Sequence, residues 1–246
     1  LWQEVVSGWN YVVVRTGLRQ LTIFFGVIYL SAGVLQVLFL PMVLSFASEK
    51  ELGIVMSVSG IGMLLGSVIV SLWGCSKRRI EGILIFVFIQ GLCLFMGGLK
   101  PAVIWAALGG FGYLFSRAIV VSLNHTIWQQ KVPQYLQGRV FALQNMMEKF
   151  LLVITHLSAA PLVEFMFKPL MSENGILASS VGRIIGVGDG RGIALLFVLM
   201  GLLNIGAVLV AYRIPELRRV ERKCNNADRF PVNETETDNT KQTVLM

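Results

Sequence analysis

Over 246 residues the chain is 55% hydrophobic and 14% charged, with a mean hydropathy of +0.70. A soluble domain keeps about 25% of its residues charged because its surface faces water, so this composition fits lipid contact and excludes a water-soluble enzyme or nucleic-acid-binding module. The net charge of +7 acquires meaning only from where the basic residues fall.

Residues 1–20 form a cytoplasmic or interfacial lead-in. Gln3, Glu4, Asn10, Arg15 and Arg19 interrupt its apolar residues, so it offers no compact apolar core or cleavage site for a signal peptide. The first residue is Leu1 rather than Met: either the initiator is lost or, the leading expectation, the chain is a fragment whose upstream part is missing. A helix needs about 20 mostly apolar residues to cross roughly 30 Å of hydrocarbon. Six runs meet that requirement: Leu21 to Ala47, Leu52 to Gly74, Gly82 to Leu99, Pro101 to Leu123, Arg139 to Phe167 and Gly192 to Tyr212. Barrel strands would alternate strictly over about ten residues, whereas these runs are continuous. The expected fold is therefore all-α, a six-transmembrane-helix bundle over residues 21–212. Residues 213–246 turn abruptly polar and are expected to be a disordered cytoplasmic tail.

Placing residues 1–20 in the cytoplasm puts fourteen basic residues on the inside and five on the outside, with Arg117 and Lys149 left within spans. The opposite topology would invert this positive-inside bias. Both termini are accordingly expected in the cytoplasm. Cys75, Cys93 and Cys224 show neither metal-ligand nor CxxC spacing and imply no disulfide framework. With His125 and His156 as the only histidines, no metal, cofactor or hydrolase constellation emerges and no enzyme activity is expected.

In the second run, Gly60, Gly62 and Gly66 place small residues where a neighbouring backbone can approach closely, for tight packing or for sliding. Lys77, Arg78 and Arg79 join the second and third runs, either as topological anchors or as a gating loop. Between the fourth and fifth, Gln129, Pro133, Gly138 and Arg139 punctuate a short inside loop. Pro133 disfavours helix at Val132, Gly138 offers a turn, and Arg139 is expected to open the next helix.

Polar residues inside spans are functional candidates because ionisable groups in hydrocarbon are costly. On the fifth helix Gln144 and Glu148 make one stripe, and Asn145, Lys149 and His156 make its neighbour. Glu148 lies about 13 Å along the helix from Arg139, placing it in a central cavity or below the inner interface. His156 is either satisfied by a neighbouring carbonyl or carries a proton. Arg117 either snorkels to the interface or faces substrate.

The motif order resembles the major facilitator superfamily, specifically the C-terminal six-helix half of bacterial drug and siderophore exporters of the macrolide-efflux and enterobactin-exporter type. The matching residues are Gly8, Trp9, Tyr11, Arg15, Gly17 and Leu18 before the first helix; Gly60, Gly62, Gly66 and Ser67; and Trp73, Gly74, Lys77, Arg78 and Arg79. They continue with Trp128, Gln129, Lys131, Val132, Pro133, Gln137, Gly138, Arg139, Val140 and Phe141, then Pro161 and Leu162, then Gly186, Gly188, Gly190, Arg191 and Gly192. The resemblance spans residues 2 to 220 and implies half of a twelve-helix fold. The first, second, fourth and fifth helices would line the cavity. The basic loop lacks the family's usual aspartate, and Met147 to Leu151 replaces its serine- and proline-containing stretch.

The resemblance further implies a secondary active transporter in a bacterial inner membrane, partnered by the bilayer, an amphipathic small-molecule substrate, protons and a missing N-terminal half. Proton-driven efflux of drugs, macrolides or siderophores by alternating access is the leading expectation. A lipid or lysolipid flippase, and a non-transporting membrane module, are the alternatives.

Overall fold

The computed structural model describes residues 13–14, 16–73, 79–171, 186 and 190–214. Six helices are long and apolar enough to cross a membrane: α1 Thr16–Leu44, α2 Glu49–Trp73, α3 Arg79–Leu99, α4 Val103–Lys131, α5 Gln134–Leu162 and α6 Arg191–Arg213. The molecule is a six-helix membrane bundle and a multi-pass membrane protein.

Local chemistry sets several boundaries. A capping box opens α2: the backbone N–H and Oγ of Ser48 each donate to the Glu51 carboxylate at 2.8 Å, and the Glu51 N–H donates back to Ser48 Oγ at 3.4 Å. Two otherwise orphaned groups are thereby satisfied. Val132 (φ −104, ψ 126) is extended and Pro133 caps α5, as the steric clash of a proline ring with the preceding residue requires. At the far end of α5, Pro161 cannot donate to the preceding turn, and a π-helical turn, Val163–Phe167, follows before Lys168–Leu170. Gly190 caps α6 with φ +81, where an added Cβ would collide with the Ser45 side chain.

Two helices outlast their apolar runs. α4 continues past Leu123 to Lys131, and α5 begins at Gln134 rather than Arg139. Gly138 therefore lies inside α5 instead of turning the chain, and Arg139 sits about one and a half turns into the helix. Hydropathy locates lipid contact, and polar residues such as Asn124, His125 and Gln129 are compatible with helix beyond it.

The helices pack in the order α2, α4, α3, α6, α1, α5, each against the next, while α1 with α2 and α4 with α5 touch at only a few residues. Exchanging α1, α2 and α3 for α4, α5 and α6 leaves this pattern of partners unchanged. The bundle therefore has the contact pattern of two three-helix repeats. Because each repeat has an odd number of crossings, the second enters the membrane in the opposite sense.

Lipid tails are as apolar as leucine, so close backbone approach rather than a hydrophobic drive holds such helices together. α3 and α6 cross at Gly91 and Gly201, where a Cβ on either would meet the other's carbonyl at 2.8 Å or 2.6 Å. Two apolar cores result. One gathers residues such as Phe24, Ile83, Trp128 and Leu143 near the α4–α5 turn. The other gathers Leu38, Ala159, Phe167 and Phe197 at the opposite end. Between them runs a polar waist: Ser31, Gln90, Ser116 and Asn204 are all fully buried.

Candidate functional site

The waist contains a charged pair. Arg117 stands at the midpoint of α4, fourteen residues from Val103 and from Lys131, and Glu148 stands fourteen residues into α5 from Gln134. Both are thus about 21 Å from the α4–α5 turn. Arg117 Nη2 lies 3.7 Å from Glu148 Oε1, with the side chains 30% and 31% exposed. That separation makes an ion pair without a hydrogen bond. The pair spans a seam, because α4 and α5 barely touch along their length.

Two tyrosines complete the cluster. Tyr29 of α1, half-buried, lies within the fields of both Glu148 and Arg117. Tyr113, one turn from Arg117 on α4, is 2% exposed and lies in the field of the guanidinium. Neither was singled out as a site residue from the sequence, since an aromatic ring inside an apolar run reads as core. A phenolic hydroxyl in a span was the available signal, because it needs a polar neighbour.

The surrounding waist is short of hydrogen bonds. Ser31 Oγ donates to the Ile28 carbonyl at 2.8 Å and to Asn204 Oδ1 at 3.1 Å. Both amide atoms of Gln90, Ser116 Oγ and Asn204 Nδ2 have no hydrogen-bond partner among the described residues. Each buried polar group of this kind needs a reason. Among the described residues no three His, Cys, Asp or Glu side chains converge; the waist supplies charge and hydrogen-bonding capacity.

The remaining candidates of α5 are not brought to the pair. Gln144 is half-buried, while Asn145 and Lys149 are exposed. His156 is exposed, with Nδ1 2.8 Å from the Leu152 carbonyl, the local satisfaction weighed against a proton-carrying role. Arg117 has Glu148 as its partner across the seam.

The loop candidates separate into two groups. Lys77 and Arg78 fall outside the described residues. Arg79 opens α3 and its Nη1 donates to Gln130 Oε1 near the end of α4. Gln137 Nε2 donates to the carbonyls of Gln129 at 2.8 Å and Val132 at 3.0 Å, clipping the turn around Pro133 shut. Gly138 and Arg139 are exposed on the first turns of α5.

Gly62 and Gly66 lie against α4. A Cβ at Gly62 would come within 2.5 Å of the Phe111 carbonyl, and one at Gly66 would strike the Phe115 carbonyl, whereas Gly60 has nothing within 4 Å of that position. Close packing accounts for Gly62 and Gly66; Gly60 is turned away from that contact.

Fold and cluster together define a membrane bundle with a charged pair in its middle. No family model, curated protein or solved structure matches the chain.

Proposed function

We propose that the chain forms one six-helix half of a secondary transporter of the major facilitator kind, which moves an amphipathic small molecule by alternating access coupled to protons. In this reading the α4–α5 turn faces the cytoplasm of a bacterium and a second six-helix half completes the path. The observation that carries it is the Arg117–Glu148 pair in the waist. An ionisable side chain costs about 2.5 to 3.5 kcal/mol at the centre of a membrane helix on insertion scales, and two are kept there facing each other across an open seam. The exchangeable three-helix contact pattern supports the same reading, since halves of that superfamily are built from two inverted three-helix repeats.

The test is expression of the complete gene in a host lacking its own efflux pumps, with accumulation of a broad panel of amphipathic compounds measured. Lower accumulation of one class indicates export and higher accumulation indicates uptake. No change for any compound, with the protein present in the membrane, refutes transport of such molecules. Headgroup-labelled phospholipid in proteoliposomes tests lipid movement separately.

A further inference from the structure

We propose that Arg117 is a receptor for the anionic head group of an amphipathic ligand, and that the ligand takes the place of the Glu148 carboxylate, which gains a proton as it is displaced.

Charge counting at the partly exposed pair carries the argument. At rest Arg117 and Glu148 sum to zero. An incoming anion paired with the guanidinium, together with one proton on Glu148, again sums to zero, and no bare charge is left at the seam. A cationic ligand paired with Glu148 would instead leave a net positive site and an orphaned guanidinium. Arg117 cannot shed its charge at any physiological pH, whereas a carboxylate can, so the cation is the permanent feature of the site and the carboxylate the removable one.

Hydrogen-bonding capacity points the same way. Arginine presents five N–H donors in a planar fork suited to carboxylate, sulfonate or phosphate oxygens, and only a 3.7 Å contact without a hydrogen bond engages it toward Glu148. The Tyr29 and Tyr113 hydroxyls add donors beside it. For a cation the cluster offers a single acceptor charge. The other described carboxylates, Glu49, Glu51, Glu81 and Glu164, lie at or near helix ends. Leu151 and Leu152, half-buried one turn along α5 on the same side of the helix as Glu148, suit the ligand's apolar tail.

The groups facing Glu148 are accounted for element by element. α1 contributes Tyr29, and α4 contributes Arg117 with Tyr113 beside it. On α5 itself Lys149 is exposed, and His156 lies about 12 Å further along the axis. In the continuation of α5, Glu164 is paired with Lys168 at 3.4 Å.

The site's occupancy by anion and proton together has a consequence for coupling. Ligand and proton move in the same direction, in place of the exchange of substrate for proton that the family resemblance implies. The proposal rests on the waist being open to substrate, and its test reads binding alone, without a gradient. A transporter of cations would therefore fail it while still transporting, and a protein that transports nothing would still pass it.

The complete gene product is placed in phosphatidylcholine nanodiscs, and binding of octanesulfonate, octyltrimethylammonium and octyl glucoside is followed by tryptophan fluorescence between pH 6 and pH 8. Octanesulfonate keeps its charge across that range. It is expected to bind with an affinity that rises as pH falls, by up to about tenfold per unit for one linked proton, while the other two bind at least about tenfold more weakly. Glu148→Gln is expected to bind octanesulfonate tightly with no pH dependence. Arg117→Gln should lose it, and the double variant Arg117→Gln with Glu148→Gln, which carries no orphaned charge, should fold and not bind. Adding phosphatidylglycerol to the nanodiscs separates the sources of anion: competition names a bilayer lipid, and unchanged binding names a free amphiphile. Preference for octyltrimethylammonium, equal binding of all three head groups, retained pH dependence in Glu148→Gln, or tight sulfonate binding by the double variant would overturn the proposal.

Discussion

A double-mutant cycle at Arg117 and Glu148 measures how strongly the waist depends on its charged pair. At 3.7 Å two unit charges attract by about 4.5 kcal/mol at an effective dielectric constant of about 20. Side chains 30% and 31% exposed are partly screened, and about 2 kcal/mol of coupling remains, roughly a thirtyfold effect on an equilibrium constant. The two single variants should not be equivalent. Arg117→Gln leaves a carboxylate that can take up a proton, and Glu148→Gln leaves a guanidinium that cannot lose one. Glu148→Gln is therefore expected to cost more stability at neutral pH, about 2 kcal/mol against about 1 kcal/mol, below the range for a fully buried pair, with the double variant close to the less damaging single. Reversible unfolding in mixed micelles reports all four corners of the cycle. Additive single effects, with a coupling below about 0.5 kcal/mol, or a larger loss for Arg117→Gln, would show that the pair is not the electrostatic unit described.

Three further outcomes follow from the packing. Leucine at Gly62 or Gly66 drives a side chain into the Phe111 or Phe115 backbone and should cost about 3 kcal/mol or more, whereas Gly60→Ala, with open space around it, should be neutral or stabilising by up to about 1 kcal/mol; thermal unfolding compares them. Ser48→Ala removes the capping box and should cost about 1 kcal/mol, seen as faster hydrogen exchange confined to the first turns of α2. Gln90→Leu replaces a buried amide without partners among the described residues by a side chain of similar size. It should raise stability by about 1 to 3 kcal/mol; a loss of that size would mean the amide is well satisfied in the membrane.

Much of the fold was legible because lipid contact and helix length constrain the same residues. The runs Leu21 to Ala47 and Gly192 to Tyr212 sit within a few residues of α1 and α6. Legibility fell where the two properties part. The turn from His125 to Lys131 is helical but polar, so hydropathy ended α4 early, and a lone glycine at 138 was given more weight as a breaker than a helix assigns it. Pro133 marked the break because its effect is steric and local. Arg117 and Glu148 could be listed from the sequence as costly residues, but their partnership depends on α4 and α5 standing side by side, which no spacing along the chain records. The tyrosines were hidden because Tyr29 and Tyr113 differ from core phenylalanines by one oxygen.

The division of the apolar packing into two cores has a mechanical meaning. Dispersion contacts act over a few ångströms and do not carry across a layer of amides and hydroxyls, so strain applied to one core reaches the other mainly through the helix backbones. A body built this way behaves like a column with a joint at half height: one end can loosen or tighten while the other keeps its shape, and bending concentrates where Gln90, Ser116 and Asn204 interrupt the alkyl packing.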